Sequence, residues 1–152
     1  MRFLKPSPGE CTDRQTILQI KCRVAAQQGK PLEHFVGENN DIQRYLEQEW
    51  FPEGLIRNGA RITAQYDKLQ DQLRAVNQHL WDLEDEIRSI MALAKEEQVK
   101  RVWEVFRIGT SIPVFNDKRA ALVAEINELF GVVSREKIYS NVMSTLKEIV
   151  NR

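Results

Sequence analysis

The chain has 152 residues, with 22 Lys and Arg set against 22 Asp and Glu, so its formal net charge is zero. That length suits one domain with a real core and no disulfide or metal staple. The charge balance argues against a general nucleic-acid binder, which needs a basic excess to neutralise phosphates. No apolar run approaches bilayer-spanning length, and Met1 to Pro6 lacks the apolar core of a signal peptide. No membrane segment is expected, and the expected address is cytoplasmic.

Ser7-Pro8-Gly9-Glu10 opens the first helix. Ser is the N-cap, Pro takes the first helical position, and Glu stands three residues after the cap, a capping box that satisfies otherwise orphaned amides. The helix is expected to reach about Gln27 and stop near Gly29-Lys30-Pro31. Asp13, Ile17, Ile20 and Val24 line one face, so an acid heads the core stripe, while Glu10, Arg14, Ile17 and Lys21 share the neighbouring row. Cys11 and Cys22 lie about 16 Å apart on such a helix, beyond disulfide reach. Their spacing does not suit zinc and no His is nearby, so both read as packing residues in a reducing compartment.

Leu32 to about Trp50 reads as a second helix, weakened by Gly37 and Asn39-Asn40, so a kink or a late start near Asn40 is possible. Pro52-Glu53-Gly54 reads as a turn and Asn58-Gly59 as a second break. The dominant element follows, from Ile62 to Ala94. Its apolar residues Ile62, Tyr66, Leu69, Leu73, Val76, Leu80, Leu83, Ile87 and Ile90 recur in steps of four and three, one stripe of an α-helix. At about 48 Å it exceeds a compact domain of this size and must project or pair with another long element. Val99, Val102, Trp103 and Phe106 then mark a short helix, and Gly109 to Phe115 an irregular connection. Asn116 or Asp117 caps the next helix, which ends at Gly131. Ser134 caps a last one carrying Ile138, Val142, Leu146 and Ile149. No stretch alternates well enough for a sheet. The expected fold is a single all-α domain over 1–152, an antiparallel bundle of five or six helices organised on the central one.

Two groups of polar residues fall on or beside core stripes. Asn77, Trp81, Glu84 and Arg88 form a row flanking the central seam. They can line a cleft between helices, or Glu84 and Arg88 can simply pair at i,i+4 with Trp81 covering the core edge. Asn116-Asp117-Lys118-Arg119 is the other group, and Arg119 falls on the apolar side with Leu122 and Ile126. An inward guanidinium needs a carboxylate or an anionic ligand, and Asp13, Glu84 and Asp85 are the available partners. His34 and His79 are isolated and read as surface residues rather than metal ligands. There is no E-x-x-H pair, no Gly-rich phosphate loop and no G-x-S-x-G turn. No metal and no cofactor is expected.

A family resemblance lies on these same residues. Pro8-Gly9-Glu10, Asp13, Ile17-Leu18, Ile20-Lys21, Asn77, Trp81, Glu84-Asp85, Ile87-Arg88, Asn116-Asp117, Arg119-Ala120, Ile126-Asn127, Glu136-Lys137 and Tyr139 resemble a family of short bacterial and phage-encoded proteins that carries only a domain-of-unknown-function label. The resemblance covers 1–139 and leaves 140–152 as an extra helical tail. It implies a compact helical domain, often encoded near or fused to glycosyltransferases of surface-polysaccharide pathways. It departs at Gly109 to Pro113, where the family has a basic segment, and in the longer tail. The Asp13-Arg14…Lys21 start also resembles the first helix of helical chorismate mutases, over that helix alone.

Two functions compete. One is a non-enzymatic helical interaction or assembly module, a homo-oligomer or the partner of another helical protein, accessory to such glycosyltransferases. Its excess of amphipathic surface needs a place to be buried. The other is a small enzyme or binding protein for an anionic metabolite such as a nucleotide sugar. It would draw on Glu10, Asp13, Lys21, Asn77, Trp81, Glu84, Asp85, Arg88, Asn116, Asp117, Arg119, Lys137 and Tyr139, with the bases gripping the anion and a carboxylate serving as acid or base. Neither involves nucleic acid or a membrane.

Overall fold

The computed structural model describes residues 5–133. Six α-helices are found there: α1 (Pro8–Gln27), α2 (Glu33–Glu49), α3 (Phe51–Asn58), α4 (Ile62–Met91), α5 (Lys95–Lys100) and α6 (Val102–Leu129), with a 3₁₀ turn at Gly59–Arg61 before α4. No strand occurs among the described residues. The fold is an all-α bundle on a long central helix. No helix among the described residues is long and apolar enough to cross a membrane.

Local chemistry sets the helix ends. Ser7 Oγ accepts the Glu10 amide at 3.2 Å and Glu10 Oε2 accepts the Ser7 amide at 2.9 Å, so the capping box is closed both ways. Gly29 and Gly131 adopt φ of 64° and 73° just past α1 and α6. The Lys30 amide returns to Ala25 O at 2.8 Å and the Val132 amide to Asn127 O at 2.9 Å. Both ends are Schellman closures, which a left-handed glycine makes cheap.

α4 and α6 run antiparallel, and their contact divides into two apolar clusters. At the start of α4, Ile62, Tyr66 and Leu73 pack with Ile126 and Phe130. Phe51, Tyr66 and Phe130 meet edge to face there, with centroids 5.2–6.0 Å apart. Towards the far end, Leu83 and Ile90 pack with Ile108. α1 packs on both α4 and α6, while α2 folds back antiparallel along α1. Because α2 returns the chain, α1 and α4 point the same way: Thr12 meets Tyr66, and Arg23 meets Gln78. Gly9 makes the α1–α6 approach possible, since a Cβ there would lie 2.3 Å from Val123 O.

Several local expectations are corrected. The central helix stops at Met91 rather than Ala94. α2 continues through Gly37 and Asn39-Asn40 without a break. Pro52-Glu53-Gly54 is the first turn of α3, where Pro needs no N–H partner. The stretch read as a short helix, a connection and a new helix is mostly one, α6, with Pro113 inside it. Gly109 and Pro113 both face outward, so the hydrogen bond that Pro113 cannot give is lost on the solvent side. Thr110 and Ser111 hydroxyls donate to the Phe106 and Arg107 carbonyls just before it. The helix predicted from Ser134 lies outside the described residues.

Candidate functional site

Between the two apolar clusters, α1, α4 and α6 enclose a polar layer. Asp13 on α1 is its centre, with a side chain only 15% exposed. Its Oδ1 accepts Arg119 Nε at 2.8 Å, and its Oδ2 accepts Arg119 Nη2, so the pair is bidentate. Asn77 Nδ2 donates to Asp13 Oδ1 at 2.8 Å and to Thr16 Oγ1 at 2.7 Å. Thr16 in turn donates to the Asp13 carbonyl at 2.8 Å. The hydrogen bond from Asp13 raises the Arg119 pKa above its ordinary value, against the opposing effect of burial, and the charges of Asp13 and Glu84 add to the rise. One helical turn earlier on α1, Thr12 bonds Pro8 O and the Tyr66 hydroxyl, each at 2.8 Å. The single Thr12 proton goes to the carbonyl, so Tyr66 donates to Thr12.

This layer is chemically satisfied. Asp13 neutralises Arg119, and both amide hydrogens of Asn77 are committed. Such an arrangement fixes the register of three helices, and it leaves no carboxylate free to act as a base.

The structure therefore brings together three of the residues singled out from sequence, Asp13, Asn77 and Arg119, and separates the rest. Glu84, Asp85 and Arg88 do not join them. Arg88 pairs along its own helix, 3.8 Å from Glu84 and 3.3 Å from Asp85, and all three side chains are more than half exposed. The cause is tertiary. α1 covers the row at Asn77 but ends at Gln27 beside Trp81, and Glu84 and Arg88 lie one and two turns beyond. Glu10 is held in the capping box. Asn116 and Asp117 do not cap a helix; they are exposed in the middle of α6. Lys137 and Tyr139 lie outside the described residues.

Lys21 and Trp81 line a different feature, an open cleft of about 560 Å³ where α2 folds over the end of α1. Val24, Gln28, Lys30, Pro31, His34 and Phe35 complete its walls. The Lys21 ammonium stands 6.0 Å from the Phe35 ring centroid. Sequence reasoning took His34 as an isolated surface residue and passed over Lys30 and Phe35. The tight closure at Gly29 was the available signal, because it lays the start of α2 across the end of α1.

Among the described residues, no group of three His, Cys, Asp or Glu side chains is placed to hold a metal ion. Cys11 and Cys22 are free, and burial pushes the Cys11 thiol up to about 11. No protein-family model, curated protein or solved structure matches the chain.

Proposed function

We propose that this chain is a non-enzymatic helical interaction and assembly module of the cytoplasm, accessory to the surface-polysaccharide glycosyltransferases that the sequence resemblance implies. One observation carries the reading: a stripe of large apolar side chains turned to solvent on α5 and α6. Val99, Val102, Trp103 and Phe106 are 70, 56, 79 and 62% exposed. Covering a large apolar side chain is worth about 1.5–3 kcal/mol, and a contiguous patch of this kind marks interaction surfaces. The polar layer supports the reading from the other side, since its groups are consumed by one another. The free thiols of Cys11 and Cys22 agree with a reducing compartment.

Sedimentation velocity from about 1 to about 100 micromolar tests the self-assembling form of this reading. Association is expected, and the double variant Trp103→Ala/Phe106→Ala is expected to lose it while keeping its helical circular dichroism. A strict monomer at tens of micromolar would remove the main support.

A second reading, a binder of an anionic metabolite such as a nucleotide sugar, is favoured by the cleft. Lys21, Lys30 and His34 there supply cationic or hydrogen-bonding groups beside the flat faces of Phe35 and Trp81. A thermal-shift screen with nucleotide sugars, inorganic phosphate and divalent ions addresses it. Stabilisation by one of them, abolished by Lys21→Ala and Trp81→Ala, would move the assignment to the cleft.

A further inference from the structure

The exposed stripe on α5 and α6 has a symmetry that names its occupant. Phe106 is at its midpoint. Val102 and Trp103 precede it by one turn, Gly109 and Thr110 follow by one turn, and Val99 and Pro113 lie seven residues to either side. The Trp103 and Phe106 rings stand edge to face at 6.1 Å, a prominent ridge. Gly109 leaves a notch beside it: a Cβ there would meet nothing within 4 Å. Eleven residues before Phe106 is Lys95, and eleven residues after it is Asp117. Both are exposed, and neither belongs to an ion pair among the described residues.

We propose that a second copy of this chain docks on this stripe, antiparallel, with the two-fold axis passing beside Phe106. An isologous contact pairs each residue with its counterpart at equal distance across the axis. Val102 and Trp103 of each copy then face Gly109 and Thr110 of the other, ridge into notch. Val99 comes level with Pro113. Lys95 meets Asp117 at both ends of the contact. The parallel alternative sets Lys95 against Lys95 and Asp117 against Asp117, so charge selects the antiparallel register. A chain of zero net charge has little long-range repulsion between copies to overcome.

Size sets the expected strength. The stripe from Lys95 to Asp117 is about 33 Å long and one helix, about 10–12 Å, wide. That gives on the order of 800 Å² for the two faces together, the scale of a weak contact. Self-association in the micromolar range is therefore expected. This inference rests on the assembly reading above and adds its partner and register.

The test uses the full chain with Lys95→Asp and Asp117→Lys, two exposed substitutions that leave the core untouched. Each variant alone replaces two attractions by two repulsions, and its self-association is expected to weaken about tenfold or more. Mixing the two variants restores opposite charges at both ends, so the mixture is expected to associate as the unaltered chain does. The double variant Lys95→Asp/Asp117→Lys is expected to recover as well. In roughly molar salt these differences are expected to collapse. If the unaltered chain associates and Trp103→Ala/Phe106→Ala abolishes it, but mixing gives no recovery, the register is wrong and the assembly reading stands. If the unaltered chain stays a monomer at tens of micromolar, this inference and the self-assembly reading both fall, and the stripe belongs to another segment or another protein.

Discussion

Replacing Asp13 with Ala asks directly whether the polar layer holds the fold together or is reserved for a ligand. The substitution removes the acceptor for Arg119 Nε, for Arg119 Nη2 and for one hydrogen of Asn77 Nδ2. Asn77 is 4% exposed, so its orphaned N–H finds little water, which costs about 1–3 kcal/mol. Arg119 is 34% exposed and recovers part of its hydration. Its share is discounted to about 1 kcal/mol rather than the larger cost of breaking a fully buried pair. A loss of about 2–4 kcal/mol is expected, a large fraction of the stability of a domain this size. Urea unfolding followed by circular dichroism measures it, provided the slope with denaturant is unchanged. Asp13→Asn keeps an acceptor for Asn77 and should lose about half as much. A double-mutant cycle with Arg119→Met should show a coupling above about 1 kcal/mol. If Asp13→Ala changes stability by less than about 0.5 kcal/mol, or raises it, the layer is not a structural fastening. A rise in particular would mark a site that keeps its charges at the expense of the fold.

Burial holds the Cys11 thiol protonated up to about 11, from an ordinary 9.0, and raises Tyr66 in the same direction. The unfolded chain releases these protons first, so stability is full below about pH 9 and falls as pH rises towards 11. Cys11 alone should account for a loss on the order of 2 kcal/mol, and Cys11→Ala should flatten that part of an alkaline stability curve. Two glycine-to-alanine changes should have opposite signs in the same unfolding assay. Gly9→Ala drives a methyl against the Val123 carbonyl and should cost about 2–3 kcal/mol, whereas Gly37→Ala, in open space on α2, should add about 0.5–1 kcal/mol. Pro113→Ala restores an amide donor to the Gly109 carbonyl inside α6 and should raise the midpoint of thermal unfolding, by up to about 3 kcal/mol in stability.

The legible features were those decided within one or two turns of chain. The capping box at Ser7, the closures at Gly29 and Gly131, and the seam from Ile62 to Ile90 all depend on neighbours in sequence. Asp13 and Arg119 were legible for a related reason: a charge on an apolar row must be matched, and Asp13 was among the few candidates. The breaks expected at Gly37, at Pro52-Glu53-Gly54 and between Gly109 and Phe115 failed because propensity is a weak term. Tertiary packing of α2 and α6 outweighed it, and the Pro113 defect faces water.

The amino-acid order by itself therefore determined that the chain is helical, where most helices begin and end, and that its longest helix carries the core. Only the tertiary structure decided which flanking polar residues become interior. Asn77, Glu84 and Arg88 share one row of α4, yet Asn77 is sealed while the other two stand in solvent, because α1 ends beside Trp81. Likewise Trp103 and Phe106 carry the periodicity of core residues, but α6 turns Ile108, Ile112 and Phe115 to α4 and leaves that pair outside. A helical period specifies which side chains share a face; which face is covered depends on where a distant helix stops.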